Sequence, residues 1–348
     1  MVSNEVERFI RQMPKAELHV HLEGSVQPRT LLELAERHGI PLAAKDEAAL
    51  QSFYTFRDFD HFIEVYIEVN RCLCTSADFA LITRELGEGA AAQNVRYLEV
   101  TVSPGSHVKR GKLTYEEFHE GILAGAREAR ERWGVEMRFI VDVVRATGME
   151  HSWSAARWAA SVAGDGVVGI GLGGTEVNNP PEDFEAIFDF GRAAGLRSTP
   201  HAGETVGPVS IWGAVRALKA ERIGHGIRAI DDPELVDELR ERQITLEVCP
   251  TSNVRTGAVA SFAEHPIRRL YDAGVPLTVN SDDPPMFGTT MLDEHLLLAN
   301  DFGFNIDDLE KINLQAIRAS FLSDAERRRL DAEFRDEYAR LRAEILSS

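Results

Sequence analysis

Lys15-Ala16-Glu17-Leu18-His19-Val20-His21-Leu22-Glu23-Gly24 is the stretch on which the reading of the fold turns. Side chains of an extended strand alternate between its faces, so His19 and His21 point one way while Leu18, Val20 and Leu22 point the other. Two imidazoles thereby converge at a strand end, a spacing suited to a metal because neutral imidazole is the commonest metal ligand. Alone, His-x-His fits a chance pairing on a polar strand face equally well. Its partners elsewhere in the chain decide.

Downstream, the chain repeats a strand-then-helix rhythm. After the strand at 16–22 comes a helix over 28–38, with Leu31, Leu32, Leu34 and Ala35 on one side and Gly39 at its end. A long interval follows with helical patterns of its own at 58–70 and 77–93. Being periodic and free of Pro/Ser/Gly tracts, it reads as a lid or wall rather than a linker. Phe56, Phe59 and Phe62 share one face there and read as ordinary core, with a ligand wall as the alternative. Further β-branched or apolar runs lie at 95–100, 137–144, 167–172, 197–202, 222–226, 244–249 and 275–280, which with 16–22 makes eight strands. Helical patterns at 114–132, 151–162, 181–194, 209–219, 232–242 and 264–273 separate them, so the strands must run parallel. Eight such units predict an α/β chain folded as a (β/α)8 TIM-type barrel, with extra helices inserted after strand 1 and at the C-terminus. The whole chain, 1–348, reads as one barrel domain. In the closing helix at 324–346, Leu330, Phe334, Tyr338, Leu341 and Ile345 form a docking stripe.

Composition narrows the partners. With 44% hydrophobic and 27% charged residues, the chain is neither disordered nor membrane-spanning in character. Its 38 basic and 56 acidic residues give a net charge of −18, which repels nucleic acid and anionic lipid. Three cysteines, Cys72, Cys74 and Cys249, form no CxxC pair and imply neither a disulfide framework nor a thiolate zinc site, as a reducing cytoplasm would suit. The N-terminus lacks a signal pattern, and no stretch approaches eighteen apolar residues. No GxGxxG or GxxxxGK[ST] follows a strand, which argues against dinucleotide and P-loop chemistry.

Barrel active sites lie at the carboxyl ends of the strands, and the chemically capable residues fall there. His19 and His21 end the first strand, His201 the fifth, His225 lies in the sixth, and Asp282-Asp283 follow the eighth. Each alone would more often be a structural polar group; four strand ends carrying ligand-type residues are a constellation. Three histidines and a carboxylate fill the protein half of a zinc site and leave a position for water, whose pKa zinc lowers to about 7. Strand 4 ends in Gly171-Leu172-Gly173-Gly174, without a bridging carboxylate or lysine, so one zinc per chain is expected. His225 is then free to act as base and electrostatic anchor.

Lys-Ala-Glu-Leu-His-Val-His-Leu-Glu-Gly, His-Ala-Gly-Glu, Ile-Gly-His-Gly, Cys-Pro-Thr-Ser-Asn-Val and Val-Asn-Ser-Asp-Asp-Pro, in this order, resemble the adenosine deaminase family of the amidohydrolase superfamily over nearly the whole chain. The resemblance implies that His19, His21, His201 and Asp282 bind zinc. It also implies that Glu204 shares a proton with purine N1, His225 positions the hydroxide, Asp283 faces N7 and Gly174 offers backbone to N3. Addition of hydroxide at C6 pushes electrons onto N1, so a protonated carboxyl there stabilises the transition state more than the ground state. The bare Gly173-Gly174 either lets the ring approach closely or forms a simple turn.

Departures from the family bear on the substrate. Glu23 stands where nucleoside deaminases usually have Asp, and Thr175 where they have an acidic residue after the strand 4 glycine. Adenine deaminases share Leu-Glu-Gly but usually carry Asp before the sixth-strand histidine, where this chain has Gly224. The expectation is a small-molecule 6-aminopurine nucleoside, adenosine or a 5′-extended form such as aminodeoxyfutalosine, with free adenine as the alternative. Glu23 is expected near the sugar's 5′ end and His21 beside the substrate. Arg145 could meet a carboxylate on a 5′ extension, though a structural ion pair is the plainer reading. A 5′-phosphate is disfavoured by the acidic chain and the lack of a phosphate-cradling loop.

Overall fold

A computed structural model describes residues 2–346. Nine parallel strand segments form two sheets: β1 (Lys15–His21), β2 (Val95–Val102), β3 (Glu136–Val144), β4 (Val167–Gly173) and β5 (Arg197–Ser198), then β6 (His201–Ala202), β7 (Arg222–His225), β8 (Thr245–Val248) and β9 (Leu277–Val279). Each pairs with the next in chain order within its sheet, as successive β/α units require. The expected fifth strand at 197–202 is split into β5 and β6, because Pro200 has no N–H to give the ladder. The chain bridges that break with Thr199 N donating to Ile170 O and Gly224 N donating to Pro200 O. The first and last strand positions meet through a bridge between Val20 and Asp282, where His21 N donates to Asp282 O at 2.9 Å and Asp282 N to His19 O at 3.2 Å. These two bonds bring the ends of the strand series together as a (β/α)8 barrel.

Burial follows the two-layer logic of such a fold. Along β1 every residue but His21 is buried, since one face meets the barrel interior and the other the surrounding helices. One apolar cluster, including Val20, Leu98, Val141 and Ile170, lies behind β1–β4; another, including Ala202, Ile223, Leu246 and Leu277, backs β6–β9. The stripe Leu330, Phe334, Tyr338, Leu341 and Ile345 is fully buried against the second cluster, as its spacing requires. Its helix runs Asp324–Leu341 and continues as a π-turn over Arg342–Leu346.

Between β1 and β2 stand helices Pro28–His38, Glu47–Phe53, Phe59–Asn70 and Ser76–Ala92. Asp58 caps the third and Thr75, in a reciprocal capping box with Asp78, the fourth, which gives this long insertion defined starts. A five-residue helix, Pro104–Val108, follows β2, and Met291–Asp301 lies beyond β9; neither has a clear sequence period. Among the described residues, no helix is long and apolar enough to cross a membrane.

Candidate active site

At the carboxyl end of the barrel His19, His21 and His201 place ring nitrogens within 4.8 Å of one another. Nε2 of His21 lies 3.2 Å from Nε2 of His201, and Asp282 Oδ1 lies 3.4 Å from His19 Nε2 and 3.3 Å from His21 Nε2. Nε2 of His19 is buried and has no hydrogen-bond partner. Donor atoms crowded this closely, one of them orphaned, are what a cation would satisfy, so the set fits the zinc expected from sequence. Asp282 sits at φ 66° and His225 at φ 59°, left-handed backbone that non-glycine residues seldom adopt and that clusters at functional sites.

The electrostatics agree. Burial opposes charge on Asp282, yet its contacts with His19 and His21 hold its carboxyl well below the usual range. Burial would likewise depress His19 and His21, but their contacts with Asp282 win: His19 stands well above the ordinary histidine value and His21 is pushed up to about 9. Burial and the three neighbouring imidazoles drive His201 well below it. The Asp282 carboxylate thus supplies the negative charge within the donor set.

Beneath these residues the barrel interior is wired. His19 Nδ1 donates to Glu247 Oε2 at 2.8 Å, and Glu247 Oε1 accepts from Arg222 Nε at 2.5 Å and Thr199 Oγ1 at 3.0 Å. Arg222 reaches on to Glu99 at 2.5 Å and stacks 3.6 Å from the Phe321 ring centroid. Such a carboxylate behind a ligating imidazole fixes its tautomer and orientation. Ser252 Oγ donates to Asp282 Oδ2 at 2.6 Å. Cys249 also lies beside His19 and Asp282, but burial keeps its thiol protonated, so it is a neutral neighbour.

His225 and Glu204 flank the cluster, with His225 Nε2 3.7 Å from Glu204 Oε2 and 3.9 Å from Asp282 Oδ2. A relay sets the imidazole's tautomer. Ile267 N donates to His265 Nδ1, His265 Nε2 to Asn253 Oδ1, and Asn253 Nδ2 to His225 Nδ1. The His225 proton must therefore lie on Nε2, facing the site, while burial lowers its pKa to about 4 and keeps it neutral. A neutral ring so arranged donates, which fits an anchor better than the base also expected of it. Burial, reinforced by Asp282 and Glu176, raises Glu204 well above the carboxylate range, which favours its protonated form.

Glu176 escaped the sequence reading. Its carboxylate accepts from the backbone N–H of Gly203, Glu204 and Thr205 and from Ser210 Oγ, and so holds the loop that presents Glu204. The signal was present: the acidic residue missing at Thr175 stands one position later. Asp142 was missed too. It lines the cavity with Oδ1 unpartnered, and a Cβ on Gly171 or Gly173 would meet its carboxylate at 2.1 or 2.2 Å. The bare face of Gly173 therefore accommodates Asp142; Gly174, at φ 84°, does line the cavity.

Asp283 is buried with Oδ1 unpartnered, and a Cβ at Gly24 would strike that oxygen at 1.5 Å, which accounts for the Glu23-Gly24 step. A Cβ at Gly224 would come within 2.8 Å of His19 Cε1 and 3.2 Å of His201, so this glycine lies tightly packed beneath the ligands. Glu23 is fully buried and is not among the cavity-lining residues; its Oε1 accepts from Ser103 N at 2.8 Å and pairs with His107 Nε2 at 3.2 Å. Arg145 is buried as well and donates to the backbone carbonyls of Leu172, Asn179 and His201, which makes it a brace and not a partner for a ligand. Phe59 and Phe62, expected in the core, stand on the cavity wall, with Phe56 meeting Phe62 and Phe287 edge-on.

The cavity itself measures about 400 Å³, within the span of small-molecule sites. A parallel barrel with histidine and carboxylate donors gathered at its carboxyl end is the architecture of a barrel hydrolase. The adenosine deaminase family profile matches residues 14–337, and the chain belongs to that family. An aminodeoxyfutalosine deaminase of Streptomyces avermitilis is 42% identical over 327 residues, covering 93% of this chain and 91% of the relative. The adenine deaminase structure from Arthrobacter aurescens is 36% identical with TM-score 0.87, covering 94% and 98% of the two chains. A zinc-bound amidohydrolase from Burkholderia ambifaria is 29% identical with TM-score 0.92, covering 100% and 96%. This protein is accordingly a hydrolase that deaminates a purine at a C–N bond.

Proposed function

We propose that the chain is one metal-dependent deaminase barrel that hydrolyses the 6-amino group of a purine nucleoside, adenosine or a 5′-modified adenosine such as aminodeoxyfutalosine. The products are the 6-oxopurine nucleoside and ammonia. The cavity carries this reading. From Glu204 and His225 it extends past Tyr66, Asn70 and Asp142 to the wall of helix Phe59–Asn70, more room than a bare purine needs. Asn70 Oδ1 and Asp142 Oδ1 are buried there without partners, acceptors suited to the hydroxyl donors of a ribose. The similarity to an aminodeoxyfutalosine deaminase agrees.

His19, His21, His201 and Asp282 would hold a single zinc, which when bound makes water acidic enough to supply hydroxide near neutral pH. His225 keeps its proton and, through an Nε2–H hydrogen bond, would hold the attacking oxygen in place. Glu204, neutral by burial, gives its proton to ring N1 as electrons arrive there from C6. Asp283, whose carboxyl is raised by burial and Asp282, faces N7 with a proton to share, and Gly174 turns backbone toward N3. Three free, buried cysteines accord with a reducing cytoplasm.

Adenine is the second reading, supported by the likeness to the Arthrobacter enzyme. Gly224, where adenine deaminases usually carry Asp, favours the nucleoside. Comparing kcat/KM for adenine, adenosine and a 5′-substituted adenosine separates the two. The nucleosides should be preferred; adenine favoured by more than about tenfold, or about 1.4 kcal/mol of transition-state binding, would overturn the assignment.

A further inference from the structure

The mouth of the cavity carries two cations that the chemistry above does not use. Lys109 and Arg110, just after the short helix Pro104–Val108, are exposed at its rim. In a chain of net charge −18, surface arginines commonly sit on carboxylates; Arg340, for example, pairs with both Glu337 and Glu344. Among the described residues, neither Lys109 nor Arg110 has a carboxylate within ion-pair distance. Lys109 Nζ meets only the backbone oxygen of Thr147, at 3.4 Å.

Arg110 is instead held by a buried neutral base. Its Nη2 donates to His107 Nδ1 at 2.7 Å, and the opposite ring nitrogen of His107 gives its hydrogen to Glu23 Oε1 at 3.2 Å. Phe79 meets the His107 ring edge-on at 4.8 Å, so the imidazole cannot swing. One donor of the guanidinium is thereby fixed while the remainder of its fork stays available, the preorganised geometry that recognises carboxylate or phosphate oxygens. The lining of the same cavity includes the apolar Phe59, Ile63, Ile67 and Val144.

We propose that Lys109 and Arg110 form an anion subsite for a negatively charged group at the 5′ end of the nucleoside, beyond an apolar spacer. This rests on the nucleoside reading above, which sets C6 at Glu204 and His225 and so turns the sugar toward the mouth. A carboxylate on a 5′ substituent and a 5′-phosphate share the necessary chemistry. Glu23 then acts at the 5′ end through His107 rather than by touching the sugar.

The test uses the metal-loaded enzyme and five substrates: adenine, adenosine, adenosine 5′-monophosphate, 5′-methylthioadenosine and 5′-carboxymethylthio-5′-deoxyadenosine. The last two differ in the added carboxylate. At least one anionic substrate should exceed its neutral counterpart in kcat/KM by about tenfold or more, the scale of a charge-assisted hydrogen bond. Lys109→Gln/Arg110→Gln should erase that preference through KM, leave kcat within about twofold, and leave the neutral substrates unaffected. Preference for the phosphate identifies one source of the charge, and preference for the carboxylate the other. Equal turnover of charged and neutral nucleosides, or a preference that survives the double substitution, overturns the subsite while leaving nucleoside deamination standing. Turnover of adenine alone would instead overturn the parent reading.

Discussion

The floor of the cavity and its upper wall are built on opposite principles. On the floor, His19, Asp282 and His225 each have a buried partner behind them, in Glu247, Ser252 and Asn253, and those partners are held in turn. On the wall, Phe59, Ile63 and Ile67 present apolar surface from an inserted helix, and Asn70 at its end leaves an acceptor open. Chemistry that needs fixed geometry is lodged in strands that hydrogen-bond on both sides. Discrimination between substrates is lodged in a helix that can vary without disturbing the barrel.

Three substitutions separate these regions, in descending order of effect. His19→Ala should remove zinc and activity together, since loss of several kcal/mol of charge stabilisation is on the order of 10³-fold or more in rate. Metal analysis of the parent protein should give about one zinc per chain; two tightly held ions would break the single-site picture of the floor. Glu204→Gln should keep the metal and the fold but lose about 10²–10⁴ in kcat, the usual worth of a positioned acid. Normal turnover by that variant would mean that the N1 proton comes from elsewhere. The smallest effect belongs to the wall: Ile63→Ala should raise KM for a nucleoside by about tenfold or less with kcat nearly unchanged. A large fall in kcat there would show that wall and floor are not separable.

The floor was legible in the sequence because its residues sit at strand ends, and strand ends follow from local patterns. His19-x-His21, His201, His225 and Asp282 each close an apolar run, and the structure gathers them. The wall was not legible, because a helix pattern does not say what its apolar face meets. Phe59 and Phe62 have the spacing of core residues and serve as wall as well. Arg145, read more readily as a structural group than as an anion ligand, is a brace that holds carbonyls in place of the expected carboxylate, whereas Lys109 and Arg110 lie on a segment without periodic signal and reach the cavity only through the packing of Pro104–Val108. Pro200 announced the interruption of the fifth strand, yet the run around it was extended enough to read as continuous.

The buried arginine under the site carries a consequence for biosynthesis. Arg222 satisfies Glu99 and Glu247 and also donates to the carbonyl of Ala319, while Phe321 N–H donates to Glu99. His19, made early, depends through Glu247 on this cluster, and the cluster is complete only when residues 319–321 have arrived. On the ribosome the N-terminal histidines therefore wait, without their final orientation, for almost the entire chain to emerge. A nascent chain lacking that turn would bury carboxylates and a guanidinium with unmet bonds, a state poorly able to compete with remaining open. Orientation of His19 is thus a late event, coupled to completion of the barrel rather than to the appearance of that residue.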